Sequence, residues 1–470
     1  MNVRFAIRSA ALASALLAFP LLALADGPDT FGIGSRNAAL GSAVSAKSGD
    51  WASAYYNPAG LAAPRKIDTG FGINAGHASL GSFHDVVLGY DGNGNVVRGP
   101  VGTNYDNVLG FTAGVAIPLT PRFAIGATLW SPMQRLVRIM TVNPFVPSYV
   151  MYENRAQRIT LNMAAAYNFG PSLRIGAGLT TLARSNFSQD FNIPAGANSE
   201  SNNSRALITL DIVPTVAPIG GVQWDVNDSL SFGLAYRGQT DLQVHVDQSS
   251  GADVVLPLGN SIRFHSAVDI TGGFVIVDHF TPQQVVLGTA WDRHDAPVAV
   301  FFDATYMNWA AFKGPYIDPA FDPIVVPPIG SVPVNWRHPP RPGFRDTVVP
   351  RLGVEYRMTS NVALRGGYSY EMTPVPTQTG EGNLLDANTH VLSAGAGLKF
   401  KDPLGYAKNP IALDAHVRVR ELVPVTAAKD TTYDCSAAGS HPPTGYPCDG
   451  GKITASGSVV SGGANLTFDF

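Results

Sequence analysis

The chain has 470 residues, of which 45% are hydrophobic and only 14% are charged, with 49 Gly, 35 Pro and a formal net charge of −3. The charged fraction is below that of a typical soluble domain, and the near-neutral balance gives no indication of a nucleic-acid partner, so none is expected. Beyond the first 25 residues no stretch approaches 18 uninterrupted apolar residues, so no transmembrane helix is expected. A membrane protein with this sequence must therefore be a β-barrel.

Residues 1–25 have the layout of a secretory signal peptide. Arg4 and Arg8 precede an apolar run that ends in Ala-Leu-Ala, which is typical of a cleavage site. An N-terminal membrane anchor is the alternative, but the run is shorter than the ~20 apolar residues that span a bilayer. We expect an exported chain that begins at Asp26, and no Cys follows the cleavage site to carry a lipid.

Residues 26–67 lack the two-residue alternation of a strand and contain the stretch DWASAYYNPAGLA, which begins at Asp50. Asp50 can cap a short helix. Asn57 precedes Pro58 and is therefore pushed out of helical geometry. Pro58 suits the first position of a further helical turn, which Asn57 caps and Pro64 closes. The sequence predicts a helix, a break and a second helix.

Strict alternation of apolar and polar residues recurs after this segment, as in strands with one face on lipid and the other on a polar lumen. It is clearest at 158–169, 348–357, 361–371 and 411–420. The polar face is too charged for the dry core of a β-sandwich. The candidate lumen charges are Arg351, Glu355, Arg365, Glu371, Asp414, Arg418 and Arg420.

Short turns alternate with long Gly-, Pro- and Asn-rich connections along residues 68–470. Short turns are expected at 118–122, 168–172, 225–229, 292–297, 357–361 and 401–410, and long loops at about 81–106, 132–154, 186–204, 248–270, 311–346, 374–388 and 425–450. Six short turns and seven long loops give fourteen strands, an even number with short periplasmic turns, as in bacterial outer-membrane barrels. The predicted fold is an all-β membrane protein, a 14-stranded antiparallel transmembrane barrel with a small N-terminal helical hatch.

One region, 248–281, contains two strand-like stretches, RFHSAVDI and GFVIVDHF. Counting both as membrane spans would give an odd total. We therefore interpret the first as part of an external loop and the second as the outer extension of the strand that contains QQVVLGTAW.

A fourteen-stranded barrel encloses a lumen too wide for its own side chains to fill, so it is either an open channel or plugged. Residues 26–67, which carry small residues with Trp51, Tyr55 and Tyr56, are expected to form the plug, and a periplasmic tail is the alternative. The lumen charges would then neutralise one another and anchor the plug, because unpaired charges in a confined space are costly. Alternatively, one of the arginines would bind a carboxylate head group through a bidentate contact.

Two features lie near the C-terminus. Cys435 and Cys448 occupy a Gly/Pro/Ser-rich stretch, and in an oxidising compartment a loop-stapling disulfide is the simplest interpretation, with two free thiols as the alternative. Only His441 lies between them, so no metal site is expected. The final strand, NLTFDF, alternates and ends on Phe470, which resembles the signal read by the barrel assembly machinery.

The segment GIGSRNAALGSAVSAKSGDWASAYYNPAGLA resembles the N-terminal hatch of the FadL-type family of outer-membrane transporters, and Asn57, Pro58 and Ala59 match the hatch motif of that family. Further matches follow in order. They are Ser131-Pro132, TPQQVVLGTAW with ATYMNW, RGGYSYEMTPVP and DANTHVLSAGAGLKF. The resemblance covers nearly the whole mature chain, and the family barrel also has fourteen strands.

The resemblance implies uptake of hydrophobic small molecules, such as long-chain fatty acids or hydrocarbons. It implies capture at outer loops, binding inside the barrel, movement of the hatch and lateral release where the third strand is kinked. Ser131 and Pro132 are the candidate strand break, or they mark only the end of that strand. The candidate loop contacts, which could equally be packing residues, are Phe145, Val146, Tyr149, Val150, Phe274 and Val275.

The expected location is the bacterial outer membrane, and the expected partners are a hydrophobic small-molecule ligand, outer-membrane lipids and the barrel assembly machinery, with the protein a monomer that needs no cofactor. A general diffusion porin is the first alternative, and it would not explain residues 26–67. An outer-membrane lipid-acting enzyme is the second, but the sequence has neither G-x-S-x-G nor H-E-x-x-H and its ten His are scattered. No catalytic residue is therefore assigned.

Overall fold

The structure is a computed structural model of the chain. It describes residues 31–63, 66–103, 107–133, 143–152, 159–182, 186–194, 203–213, 216–258, 262–293, 295–321, 324–326, 330–332, 340–403, 409–437 and 439–470. The predicted signal peptide lies outside the described residues.

The described part of the chain is dominated by β-strands. In chain order they are β1 (Asp68–Leu80), β2 (Phe83–Tyr90), β3 (Val96–Val101), β4 (Val108–Pro118), β5 (Phe123–Pro132), β6 (Ser148–Tyr149), β7 (Thr160–Asn168), β8 (Leu173–Leu182), β9 (Asn186–Pro194), β10 (Asn203–Val213), β11 (Val216–Asp225), β12 (Leu230–Arg237), β13 (Thr240–Leu258), β14 (Ile262–Thr281), β15 (Gln284–Asp292), β16 (Val298–Met307), β17 (Tyr316–Phe321), β18 (Ile324–Val326), β19 (Gly330–Val332), β20 (Thr347–Arg357), β21 (Val362–Glu371), β22 (Leu384–Leu385), β23 (Thr389–Phe400), β24 (Ile411–Ala428) and β25 (Lys452–Asp469).

Fourteen of these strands close into one antiparallel barrel, in the order β1-β25-β24-β23-β21-β20-β16-β15-β12-β11-β8-β7-β5-β4. Strands that are neighbours in the barrel wall also follow one another among the barrel strands along the chain. β1 closes the barrel by pairing with the last strand, β25, from Asp68↔Asp469 to Leu80↔Gly457. All six short turns fall where the sequence predicts them, and the fourteen-strand prediction is confirmed. The barrel edge is therefore fully paired, which is the requirement for a sheet in lipid.

The two faces of the barrel differ in polarity. Large apolar residues such as Phe71, Leu287 and Leu392 are exposed on the outside at 47–60% of their surface. The inward positions of the same strands carry buried polar side chains, among them Asn74 and Ser393. This is the lipid-out, polar-in alternation of a membrane barrel.

A second sheet lies outside the barrel path and was missed by the sequence analysis. Its order is β19-β18-β14-β13-β10-β9, with β17 paired to β14. The interpretation of GFVIVDHF as the outer part of the following barrel strand agrees with the register, because the β13–β14 ladder begins at Thr240↔Thr281 and continues the β12–β15 ladder that ends at Arg237↔Gln284. The stretch RFHSAVDI, expected in an external loop, is instead the first part of β14 and pairs with β13. The predicted loop 186–204 likewise contains β9 and the first residues of β10.

Helices are short. Two α-helices, α1 (Ser35–Ala39) and α2 (Ser53–Tyr56), and two 3₁₀ helices, Pro58–Ala62 and Trp309–Ala311, are present in the described residues. None of the described helices has the length and apolar character needed to cross a bilayer.

The predicted break in the N-terminal segment is present. Asn57 is extended (φ −157°, ψ 107°), Pro58 begins the 3₁₀ helix, and Asn57 Oδ1 accepts the N–H of Ala59 at 3.1 Å. Asp50 does not cap α2, whose N-cap is Ala52, but its Oδ1 accepts the Ala52 N–H at 3.0 Å. Pro64 lies outside the described residues.

Candidate functional site

Residues 31–63, called the inner segment below, pack against the inward face of the barrel. α1 contacts β21, β23, β24 and β25, whereas the 3₁₀ helix Pro58–Ala62 contacts β4, β5, β7, β8 and β11 on the other side. Nearly all side chains of the segment are buried, including Phe31, Ile33, Leu40 and Trp51. The lumen is therefore filled by this segment rather than by side chains of the wall alone.

The barrel wall accommodates the inner segment at inward-facing glycines. A Cβ added at any of them would lie less than 3.0 Å from a backbone or side-chain atom of the segment, so Gly leaves the room that the segment occupies. They lie on ten different strands. These eleven seat glycines are Gly70, Gly76, Gly114, Gly126, Gly176, Gly221, Gly233, Gly288, Gly353, Gly367 and Gly395.

Glycines in the interior of the predicted strands are the sequence signal for the seats. Glycine weakens a strand interior and often marks a site where another backbone approaches. One such Gly recurs within most of the barrel strands, as in Gly126 of FAIGATLW and Gly233 of LSFGLAYR. The same pattern therefore predicts a filled barrel.

Asn57 joins the inner segment to the wall. Its side chain is fully buried, and Nδ2 donates to Ser45 O at 2.7 Å within the segment and to Val222 O at 3.0 Å on β11. Gln223 of β11 adds hydrogen bonds from Nε2 to Ser48 O at 3.0 Å and Ser45 O at 3.2 Å. Both ends of the Asn57 amide are used, so its donor and its acceptor are each required.

A buried charge cluster connects the inner segment to β20, β21 and β24. Glu355 Oε2 accepts from Arg36 Nε at 3.1 Å and from Arg365 Nε at 2.7 Å, and Arg365 Nη1 reaches Asp414 Oδ1 at 2.5 Å. Gly397 lies on β23 between Arg365 and Asp414, and a Cβ there would meet both side chains. The contact across an intervening strand therefore depends on this glycine.

The inner segment supplies its own acidic partner to the cluster. Burial opposes the charge of Arg36, but Glu355 and Asp50 outweigh it and raise the pKa of Arg36. Burial raises the pKa of Asp50, and Arg36 together with Asn37 opposes that shift. Arg36 is thus held as a cation among carboxylates.

The remaining candidate lumen charges lie nearer the outer end. Arg420 Nη2 donates to Glu371 Oε1 at 2.8 Å, and Arg351 Nη1 donates to Thr305 Oγ1. Arg418 is almost fully buried, with 1% of its surface exposed. The structure thus divides the predicted charges into two groups, one around Glu355 and one around Glu371.

A cavity, called the central cavity below, lies at the outer end of β16, β20 and β21, and the group around Glu371 forms part of its wall. Its wall combines apolar and thioether side chains with two arginines and two carboxylates. The lining residues are Met151, Tyr152, Met307, Trp309, Thr347, Val349, Arg351, Glu371, Met372, Pro374, Asp386, Ala387, Thr389 and Arg420.

An aromatic cluster adjoins the central cavity on its outer side. Phe280 lies 5.9 Å from Trp309 and 5.2 Å from Phe312 between ring centroids, and Phe344 lies 4.8 Å from Phe312. Leu384, which is 1% exposed, belongs to the same cluster. Trp309 lines the cavity and packs in this cluster, so the two share a wall.

The six residues predicted as loop contacts differ in location and, where the structure describes their side chains, in burial. Tyr149 is fully buried, and its hydroxyl donates to Ser456 O at 2.9 Å, so it packs rather than faces a ligand. Val150 packs against the aromatic cluster, whereas Phe145 and Val146 are partly buried. Phe274 and Val275 lie on β14, opposite Val246 and His245, and their side chains lie outside what the structure describes.

The predicted strand break falls at the end of β5. Pro132 is the last residue of the strand and pairs with Gly110 of β4. The ladder from β5 to β7 ends earlier, at Trp130↔Thr160. Among the described residues, Ser131 and Pro132 therefore pair with β4 alone.

The predicted disulfide is present. The sulfurs of Cys435 and Cys448 are bonded, and the Cα atoms lie 5.8 Å apart. In the described part of the chain no three His, Cys, Asp or Glu side chains are grouped so that they could hold a metal ion.

A family model described as outer membrane protein transport protein (OMPP1/FadL/TodX) matches residues 29–406. The chain belongs to this family. It is accordingly a β-barrel of the bacterial outer membrane. The match begins two residues before the inner segment and extends past β23.

Individual relatives agree with this assignment. Alkane uptake protein A of Marinobacter nauticus is 22% identical over 317 residues, which are 64% of this chain, and the chain spans 62% of the length of that relative. A Pseudomonas aeruginosa FadL homologue of known structure is 16% identical over 96% of this chain and all of its own, with a TM-score of 0.55. The toluene transporter TodX of Pseudomonas putida is 14% identical over 94% of this chain and 99% of its own, with a TM-score of 0.50. At these identities the solved structures show that the fold is shared.

Proposed function

We propose that this protein takes up hydrophobic small molecules across the outer membrane and that the central cavity is where they bind. The carrying observation is a cavity with Met, Trp and Tyr side chains inside a closed, filled barrel. Ligand sites of this kind are mostly apolar with a few placed polar groups. The names of the relatives, an alkane uptake protein and a toluene transporter, support the same class of ligand.

The inner segment is the hatch in this proposal, as part of a hatch domain at 26–67 that follows a signal peptide at 1–25 and precedes a barrel domain at 68–470. Its contacts around the whole wall support a role in closing the lumen. Residues Asn57, Pro58 and Ala59 hold the turn that lies against β8 and β11. A general diffusion porin would need an open lumen, which this packing opposes.

The lumen charges act in the proposal as anchors of the hatch. Arg365 is engaged by two carboxylates and Arg420 by one, so neither offers a vacant guanidinium to a fatty-acid head group. Breaking a buried pair by removing one partner costs about 3–5 kcal/mol. Movement of Arg36 away from Glu355 is therefore a step that the ligand must drive.

Release of the ligand is proposed to be lateral, beside the outer end of β5. The position of Pro132 at the end of β5 supports an opening there, because Pro132 has no N–H to offer to a neighbouring strand. The further partners in the proposal are the lipids around the barrel and the barrel assembly machinery, which would read the strand that ends at Phe470. The transporter is proposed to act as a monomer.

The test uses a neutral apolar dye, N-phenyl-1-naphthylamine, and a bacterial host with intact lipopolysaccharide. Cells that carry the protein should take up the dye faster than cells without it. Met307→Lys places a charge in the central cavity and should abolish the acceleration, whereas Met307→Leu preserves the apolar volume and should retain it. Equal uptake by all four strains would refute the proposal.

A further inference from the structure

The barrel wall has a gap at the outer end of β24, on the side of β23. The last pair between these strands is Thr389↔Leu422, so residues of β24 beyond Leu422 have no barrel strand on that side. The connection 372–388 lies there instead, and Asn388 O accepts the N–H of Val423 at 2.8 Å. A loop therefore covers an otherwise open strand edge.

The other side of β24 is also irregular at this height. The pairing with β25 shifts between Leu422 and Val425, so Val423 and Pro424 form a bulge. Pro424 has no N–H and belongs at such interruptions. Val423 and Val425 are exposed at 40% and 41% of their surface. Val423 continues the outward row of Val419, whereas beyond the bulge Val425 lies opposite buried Ala455. Two exposed valines thus flank the point where the wall is interrupted on both sides.

A groove, called the side groove below, runs between the connection and this part of β24. Its wall is mainly apolar and Asp386 is its one charged side chain among the described residues. The lining residues are Thr373, Val375, Pro376, Thr377, Gln378, Leu384, Leu385, Asp386, Ala387, Asn388, Val423, Pro424, Val425 and Ala427. Asp386 and Ala387 also line the central cavity, so the two spaces are separated by this short stretch of chain.

The loop wall of the side groove is fixed in place by one lysine. Lys429, at the end of β24, is buried, and its Nζ donates to the carbonyl oxygens of Gln378, Gly380 and Gly382 at 2.9, 2.9 and 2.7 Å. Hydrogen bonds from a charged donor are the stronger kind. The side groove is therefore a formed feature of the barrel rim.

We propose that the side groove is the site through which a neutral hydrophobic ligand reaches the central cavity, with Val423, Pro424 and Val425 as its first contacts. The proposal rests on the uptake function proposed above. Asp386 and Ala387 form a wall that the groove shares with the central cavity, which places the inner end of the groove against that cavity. Its one carboxylate disfavours an anionic ligand, so the class admitted is the uncharged hydrocarbon or aromatic molecule rather than a carboxylate.

The experiment compares Val425→Trp with Val419→Trp. Both valines lie exposed on β24, but Val419 lies below the gap, paired with Leu392, and does not line the groove. Uptake of N-phenyl-1-naphthylamine should fall toward that of cells lacking the protein in Val425→Trp and should keep the wild-type rate in Val419→Trp. Val423→Trp serves as the second blocking variant if Val425→Trp does not reach the membrane.

The outcomes separate the two proposals. Wild-type acceleration that survives in folded Val425→Trp or Val423→Trp would overturn the side groove and leave the uptake function intact. Absence of acceleration by the wild-type protein would overturn both. Asp386→Asn should increase the uptake of dodecanoate relative to the dye, and no change in this ratio would overturn the assignment of selectivity to Asp386.

Discussion

Asn57→Asp is the most direct test of how the hatch is held. The substitution keeps Oδ1, which accepts the Ala59 N–H, but replaces the Nδ2 donor with a second oxygen that faces Ser45 O and Val222 O. The side chain is fully buried, so water does not relieve the opposition. Asn57→Ala instead removes the cap as well as the donor.

The magnitude follows from these contacts. Loss of a cap costs about 1 kcal/mol, and each buried acceptor left without its donor costs about 1–3 kcal/mol. Gln223 also donates to Ser45 O, so most of the cost of an unsatisfied acceptor arises at Val222 O. We expect Asn57→Ala to reduce the free-energy stabilisation of the docked hatch by about 2–4 kcal/mol, and Asn57→Asp to reduce it by at least as much. This loss converts to roughly a 30- to 1000-fold rise in the population of undocked hatch.

The assay is ion conductance of the purified protein in a planar bilayer. Wild-type barrels should be closed for most of the record, and both variants should open far more often. Lowering the pH should close Asn57→Asp again but not Asn57→Ala, because a protonated carboxyl regains one donor. Asn227→Asp is the matched control, since the Oδ1 of this exposed turn residue accepts the N–H groups of Ser229 and Leu230. Wild-type conductance in both Asn57 variants would refute the reasoning.

Three further predictions concern the seats, the rim and the outer loop. Gly367→Val should prevent docking of the hatch and raise conductance, because a Cβ there meets the backbone of the inner segment, whereas Gly366→Val, with open space around its Cβ, should conduct like the wild type. Lys429→Met removes the donor to the carbonyl oxygens of Gln378, Gly380 and Gly382 and should lower the protection of amides in 378–382 from hydrogen exchange; wild-type protection in this variant would contradict the role of the lysine. Cys435→Ser should remove about 3 kcal/mol of loop-closure stabilisation and expose 429–451 to protease while the barrel keeps its heat-resistant mobility in detergent gels; equal cleavage of the variant and the wild type would contradict this.

The barrel could be predicted from the sequence because its determinants are local. Alternation sets the two faces of each strand, and turn residues such as those at 118–122 and 357–361 set where each hairpin reverses. β17 and β18 of the second sheet were missed because their pairings with β14 join segments farther apart in the chain. Alternation alone does not say to which sheet a strand belongs.

The candidate site could be predicted only in part from the sequence, for a similar reason. The charged residues could be assigned to the lumen from alternation, but which arginine meets which carboxylate depends on register. Arg365 is opposite Glu355 across one ladder and reaches Asp414 only over Gly397. The side groove depends on where β23 stops relative to β24, a difference of a few residues that turn chemistry does not specify.

The seat glycines allow the inner segment to fit only a barrel whose strands have the correct register. A ladder that slipped by two residues would keep every side chain on its proper face, yet it would move a seat about 7 Å along the wall. The segment would then meet a side chain where it needs a gap, so alternation tolerates the slip but the seats do not. Because the segment precedes the strands in the chain and touches both sides of the β1–β25 seam, it can report strand register before the seam closes. The residues that fill the lumen thereby also select the number of strands and the register of the closed barrel.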